Sequence, residues 1–113
     1  MNKDATVYLR HILDAMDRTE RYLKDIDREE FLRNDLLQAG VIREMELIGE
    51  AAKQVGNGFR RAHTGIPWKK MTGMRDKLIH DYLGVDLEAV WDTVQKDLPP
   101  LKQELKDILA KDK

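Results

Sequence analysis

The chain has 113 residues, of which 36% are charged and 42% hydrophobic, and its formal net charge is −1. It contains no cysteine, which excludes disulfides, iron–sulfur ligation and thiol nucleophiles. It shows neither a signal peptide nor an apolar run near the roughly 20 residues of a membrane span. We therefore expect one cytoplasmic domain over residues 1–113 that makes no membrane contact.

Helical periodicity dominates the first half of the chain. Apolar residues at alternating spacings of four and three predict a first long helix, which Asn2 or Asp4 could cap. These residues are Ala5, Leu9, Ile12, Met16, Thr19, Leu23 and Ile26. Asp27-Arg28-Glu29-Glu30 then predicts the cap and first turn of a short helix. A second long helix should run from Asp35 to about Val55 and end at Gly56-Asn57-Gly58.

The second half begins less regularly. Phe59 to His63 predicts a helical turn, and Pro67 suits the first position of a short helix that ends near Met71. Thr72-Gly73 should precede another helix, which carries Arg75 to Tyr82. A last helix starts at Asp86, and its apolar register continues through Pro99-Pro100, so we expect one kinked helix or two nearly collinear ones.

The predicted elements are all helical, and no strand pattern is present. The last helix would span about 40 Å if it were continuous, which exceeds the diameter of a compact domain of this size. The sequence therefore predicts an all-α, up-and-down bundle of four to five helices with short connecting helices. The bundle should be elongated.

The segment from Arg75 to Tyr82 holds the residues with the clearest chemical potential. On a helix that turns by about 100° per residue, Arg75 and His80 lie about 140° apart, so they do not converge within one helix. A second copy related by two-fold symmetry would bring two Arg–His sets into one cleft, which makes a homodimer part of the hypothesis. Asp76 lies four residues before His80 and could orient its imidazole.

These residue types suit phosphodiester chemistry without a metal. A histidine can accept the proton of a ribose 2′-hydroxyl, and an arginine can stabilise charge on phosphate oxygens, so RNA cleavage is the predicted reaction. Thr72-Gly73 before the helix would add free backbone N–H groups. The three histidines are not at metal-ligand spacing, and the absence of serine excludes a Ser–His–Asp triad.

Positive charge is concentrated around this segment. Residues 58–80 carry a net charge of +5, whereas the rest of the chain carries −6. The candidate contacts to RNA phosphates are Arg60, Arg61, Lys69, Lys70 and Lys77. A merely solvated basic face explains such a cluster equally well. An arginine and a histidine five residues apart also occur on many helices without any catalytic role.

The spacing of Arg75, His80 and Tyr82 resembles the signature of the HepT-like toxins of the HEPN superfamily. Further stretches resemble the same family in the same order, almost from end to end of the chain. They include Tyr8 to Ala15, Ile48 to Lys53, Ile66-Pro67-Trp68, Gly84-Val85-Asp86, Val90 to Val94 and Asp97 to Leu101.

The resemblance implies a dimeric helical bundle and a metal-independent endoribonuclease that acts as the toxin of a type II/VII-like toxin–antitoxin pair. Arg75 and His80 would be the catalytic pair, and no cofactor is implied. The implied partner is a small nucleotidyltransferase antitoxin of the MntA type, which transfers AMP to Tyr82. Asp76 departs from the asparagine that follows the arginine in many relatives.

Two alternatives remain open from the sequence. The chain could be a non-catalytic adaptor that binds a nucleotidyltransferase, with Arg75 and His80 serving structure or binding. The near-neutral charge favours this alternative mildly, and the intact motif opposes it. The chain could also be a dimeric helical scaffold without either role.

Overall fold

The computed structural model describes residues 3–73 and 85–111. Regular structure within these ranges is helical and includes no strand, which confirms the all-α prediction. None of the described helices is both long enough and apolar enough to cross a membrane. The elements are α1 (Lys3–Tyr22), α2 (Arg28–Arg33), α3 (Asp35–Gln54), α4 (Asn57–Ala62), α5 (described over 68–73), α6 (Leu87–Asp92), a π-helical segment (Thr93–Asp97) and α7 (Leu98–Lys111).

The two long N-terminal helices form the centre of the bundle. They run antiparallel, because Arg18 near the end of α1 bonds Glu44 in mid-α3, whereas Tyr8 near the start of α1 shares a hollow with Gln54. The predicted stripe is buried from Ala5 to Leu23, whereas α1 ends at Tyr22 and Ile26, its last predicted member, is only partly buried. From α3, the apolar side chains buried against it are Val41, Met45, Ile48, Ala51 and Ala52.

α7 packs on α1 and lengthens the bundle. Its buried residues follow the predicted register at Leu98, Leu101 and Leu105. Lys102 reaches α1, where its ammonium lies 2.7 Å from an Asp17 carboxylate oxygen and 3.0 Å from one of Glu20. The Cα atoms extend over 42 × 29 × 19 Å, so the predicted elongated shape is confirmed.

Short polar side chains begin three of the helices. The Asp27 carboxylate accepts a hydrogen bond from the Glu30 N–H at 2.8 Å, which confirms the predicted cap of α2. Asp86 caps α6 in the same way, as predicted. The cap of α3 is Asn34, which precedes the predicted start and accepts from the Leu37 N–H at 3.0 Å.

The glycines after α3 behave differently from the prediction. α3 does end at Gln54, but Asn57 and Gly58 belong to α4 instead of forming a longer break. Gly56 has φ −66°, so it is not the left-handed glycine that often ends a helix. It precedes α4 in extended conformation, and its carbonyl accepts from the Arg60 N–H at 3.1 Å.

The C-terminal helical run is continuous across Pro99 and Pro100. The π-helical segment lies directly before them, and the Leu98 N–H donates to the Thr93 carbonyl, five residues back. A proline supplies no N–H, so the wider turn accommodates the missing bonds without a break. The predicted apolar register of the last helix included Trp91. In the structure Val90 is buried instead, and Trp91 is half-buried with its ring centre 5.5 Å from that of Phe31.

Candidate functional site

The predicted motif residues lie outside the described part of the chain. Arg75, Asp76, Lys77, His80 and Tyr82 all fall within residues 74–84. Their roles, and the cleft that two Arg–His sets would share, therefore stay predictions. The described structure shows the segment that precedes the motif in sequence, from α4 to Gly73.

Aromatic packing fixes the start of α5. Trp68 is buried, and its indole N–H donates to the His63 carbonyl at 2.9 Å. The Phe59 ring lies 6.0 Å from Trp68, roughly edge to face, and 4.3 Å from the His63 ring. Together with Ile66 and Met71, Trp68 joins the hydrophobic core, so it is a packing residue. Lys69 and Lys70 lie on the exposed side of α5.

Thr72 and Gly73 are helical residues of α5, so the prediction that the short helix ends near Met71 is wrong. The helix predicted to carry Arg75 to Tyr82 lies outside the described residues. α5 begins at Trp68, directly after Pro67, whose carbonyl accepts from the Met71 N–H at 3.0 Å. The Thr72 hydroxyl donates to the Lys69 carbonyl at 3.1 Å. N–H groups without a helical acceptor belong to the first turn, near Lys69 and Lys70, and not to Thr72-Gly73.

The predicted phosphate contacts are divided between the interior and the surface. Arg60 is half-buried, and one of its terminal nitrogens donates to the Ala52 carbonyl at 2.6 Å, near the end of α3. Its Nε is buried and has no hydrogen-bond partner. Arg61 and Lys69 are exposed. Arg60 thus links α4 to α3, while Arg61 and Lys69 face solvent.

Lys70 is also on the surface, but it is paired. Its ammonium lies 3.0 Å from a carboxylate oxygen of Asp97, the last residue of the π-helical segment. An open hollow of about 610 Å³ brings part of the basic segment together. It is lined by Arg60, Thr64, Ile66, Pro67, Trp68, Lys69 and Lys70. Three of the five predicted phosphate contacts therefore share one surface.

A buried ionic contact between α1 and α3 escaped the sequence analysis. Glu44 is only 5% exposed, and its carboxylate accepts from Arg18 Nε at 2.8 Å and from the Tyr22 hydroxyl at 3.1 Å. The hydrogen bond to Glu44 raises the pKa of the Arg18 guanidinium. One signal was available, because position 44 falls between Val41 and Ile48 on the apolar stripe of α3. We assign this contact to stability.

A second open hollow, of about 600 Å³, lies between α1 and α3. Its polar lining includes Tyr8, His11, Asp14, Glu50 and Lys53, from two stretches that carry the family resemblance. The Tyr8 and His11 rings lie 6.1 Å apart, edge to face. No group of three or more histidine, aspartate or glutamate residues in the described part of the chain could hold a metal ion.

The sequence matches one known protein family. The family described as HepT-like, "Ribonuclease HepT-like", matches residues 12–108, which include the segment from Arg75 to Tyr82. The chain belongs to the HepT-like family. The HepT-like identity predicted from the motif residues is thereby confirmed.

Relatives from several microorganisms agree with this assignment. A protein of Thermococcus cleftensis named "Probable ribonuclease HepT" is 45% identical over 90% of this chain and 93% of its own length. A protein of Caldanaerobacter subterraneus named "Putative RNase" is 42% identical over 94% of this chain and 95% of its own.

A third relative is longer. The Methanocaldococcus jannaschii protein named "Gamma-glutamylcyclotransferase and putative RNase" is 45% identical over 96% of this chain. The HepT-like chain spans about half of that protein, 49% of its length. No solved structure matches this chain.

Proposed function

We propose that this HepT-like protein is a metal-independent endoribonuclease that acts in the cytoplasm as the toxin of a toxin–antitoxin pair. One observation carries the proposal. The family match spans the Arg75–His80–Tyr82 motif, and relatives named as ribonucleases align with over nine-tenths of the chain. The exposed cations ahead of the motif, Arg61 and Lys69, support an RNA substrate because they can contact backbone phosphates.

The proposed reaction needs no group beyond the chain and its RNA. His80 accepts the proton of a ribose 2′-hydroxyl, and the 2′-oxygen attacks the adjacent phosphorus. The bond from phosphorus to the 5′-oxygen breaks, a protonated histidine donates a proton to that oxygen, and a 2′,3′-cyclic phosphate remains. Arg75 stabilises the charge on the phosphate oxygens with its planar donors. Asp76 orients the His80 imidazole.

The proposed site is shared by two copies of the chain. Arg75 and His80 do not converge within one straight helix, so one cleft would combine the Arg–His sets of both copies. Mixing His80→Ala protein with wild type in varied proportions gives a direct test. If the cleft needs His80 from both copies, mixed dimers are inactive and activity falls as the square of the wild-type fraction. A fall in simple proportion to that fraction would show that each copy acts alone and would contradict the shared site.

Cleavage itself is tested on labelled RNA in the presence of EDTA. We expect wild type to cleave RNA and to leave the matching DNA intact, because DNA has no 2′-hydroxyl. His80→Ala should abolish cleavage. His11→Ala is the matched control, since His11 is an exposed histidine on α1, away from the motif in sequence. Cleavage that survives His80→Ala, or that requires an added divalent metal, would contradict the mechanism.

We further propose that a nucleotidyltransferase antitoxin of the MntA type silences the toxin by transferring AMP to Tyr82. The added phosphate and adenine would repel RNA phosphates and block the cleft. Co-expression with such a partner should add AMP-sized mass to wild type and to Tyr8→Phe, but not to Tyr82→Phe. Modification of Tyr82→Phe would refute the assignment of this residue.

A non-catalytic adaptor is the second candidate. Two observations favour it: the net charge of −1, and the contacts that Arg60 and Lys70 make with the Ala52 carbonyl and with Asp97. Both weaken electrostatic binding of RNA. A purified protein that binds the nucleotidyltransferase but neither binds nor cleaves RNA would support the adaptor over the ribonuclease.

A further inference from the structure

The ion pair between Lys70 and Asp97 joins a predicted phosphate contact to a carboxylate of the chain. The two charged atoms are 3.0 Å apart, and the side chains are 61% and 40% exposed. Both groups are therefore accessible to solvent and to a polyanion. Lys70 also lines the hollow that holds Arg60 and Lys69, so the carboxylate stands at the edge of that basic surface.

The backbone holds Asp97 firmly in this place. It is the last residue of the π-helical segment, and the buried Val94 and Leu98 on either side anchor that segment in the core. The Leu98 N–H donates to the Thr93 carbonyl, so the wide turn is closed immediately after Asp97. π-helical turns inside longer helices occur frequently at functional sites. The proposed ribonuclease chemistry leaves both this turn and Asp97 without a role.

We propose that Asp97 is an intramolecular competitor of the RNA backbone for Lys70, and that it sets the affinity of the basic surface for RNA. This inference rests on the proposed function. In the free protein the carboxylate occupies the ammonium, and in the RNA complex a phosphate takes its place. The exchange keeps the charge of Lys70 paired in both states, so only RNA that places a phosphate at Lys70 compensates for the broken contact.

The exposure of both side chains determines the size of the effect. Exposed ion pairs contribute little, because water and salt screen them and the side chains lose freedom on pairing. Competition by Asp97 should therefore weaken RNA binding by about two- to fivefold, and not by orders of magnitude. An effect of this size tunes affinity without preventing binding.

A double-mutant cycle isolates the effect. The probe is a fluorescent single-stranded 2′-O-methyl RNA oligonucleotide, which lacks the attacking hydroxyl, and the readout is its dissociation constant by anisotropy. Asp97→Asn should tighten binding by about two- to fivefold, whereas in a Lys70→Gln background the same change should have no effect. Asp92→Asn, an exposed aspartate in the same helical run, is the control for net charge.

Salt dependence gives a second readout. Each phosphate contact contributes about 0.7 to the slope of log K against log salt for single strands. Lys70→Gln should reduce the slope by about that amount, and Asp97→Asn should leave it unchanged, because the number of phosphate contacts is the same. An unchanged slope in Lys70→Gln would overturn the proposed contact.

The outcomes separate this inference from the proposed function. If wild type binds the oligonucleotide but Asp97→Asn tightens binding equally with and without Lys70, or as much as Asp92→Asn does, the competition is refuted while RNA binding stands. If Asp97→Asn leaves affinity unchanged, the competition is also refuted. If wild type does not bind RNA, both proposals fail.

Discussion

Replacing Arg18 by methionine should destabilise the protein by more than its surface position suggests. The substitution keeps an unbranched side chain of similar reach but removes the donor that bonds Glu44 at 2.8 Å. The Glu44 side chain is 6% exposed, so its carboxylate would stay buried with only the Tyr22 hydroxyl as partner. A charge left buried without its partner costs more than the pair itself contributes.

The magnitude follows from these contacts. A hydrogen bond to a charged group contributes about 1.5–3 kcal/mol, and breaking a fully buried ion pair costs about 3–5 kcal/mol. Arg18 is 34% exposed and Tyr22 still donates, so we expect about 2–3 kcal/mol. For a domain of this size the midpoint of thermal unfolding should fall by about 8–12 °C.

The assay is urea and thermal unfolding followed by circular dichroism at one fixed protomer concentration, because association would otherwise contribute to the apparent stability. Arg10→Met is the matched control, since Arg10 is exposed on the same helix, and it should stay within about 0.5 kcal/mol of wild type. Glu44→Gln added to Arg18→Met should recover at least about 1 kcal/mol, because it removes the stranded charge. Equal losses in Arg18→Met and Arg10→Met, or no recovery in the double variant, would refute this reasoning.

Two further predictions concern contacts of α1. Lys102→Met should lower the free energy of unfolding by about 1 kcal/mol, because Lys102 pairs with two carboxylates of α1. The hydrogen bond to Asp17 raises the pKa of Lys102 above 10.5. The difference from wild type should therefore persist below about pH 10.5 and shrink as the pH rises further. Gly40→Ala should stabilise α3 by about 0.5–1 kcal/mol, because alanine has a higher helix propensity than glycine. The new Cβ would lie 3.4 Å from the Tyr22 ring, which is the short end of ordinary contact. A loss in urea midpoint for Gly40→Ala would show that the ring cannot adjust.

The long helices could be predicted from the sequence because their apolar spacing directly reflects burial. Every predicted position of the first stripe from Ala5 to Leu23 is buried, and only Ile26, beyond the end of α1, is partly exposed. Periodicity shows which face of a helix is apolar, and in a bundle that face packs against the core. Periodicity does not show local backbone geometry. The π-helical turn before Pro99 was therefore not predicted, because the apolar register continues across it.

Glu44 shows why a buried charge is harder to predict. Its residue type predicts exposure, since carboxylates are mostly exposed, although its position lies on the apolar stripe of α3. Its burial depends on Arg18, which is 26 residues away and reaches it only because α1 and α3 run antiparallel. The partner is set by tertiary packing, so the spacing within α3 could flag the position but not explain it.

The predicted helix end near Met71 was wrong for a different reason. A threonine and a glycine together often mark a break, yet a glycine inside a helix costs only about 1 kcal/mol relative to alanine. Burial of Trp68 and Met71 on one face of α5 outweighs that cost. Local propensity was therefore overruled by the packing of neighbouring residues.

Counting charges along the sequence overstates how much of the basic segment is open to RNA. Of the cations in its described part, Arg60 is bonded to the Ala52 carbonyl and Lys70 is paired with Asp97. Arg61 and Lys69 are exposed, and the described contacts give neither of them an ion pair or hydrogen bond of this kind. The same segment must both hold α4 and α5 on the core and present charge to a substrate. An intramolecular partner that a phosphate can displace, as proposed for Asp97, lets Lys70 meet both requirements in turn.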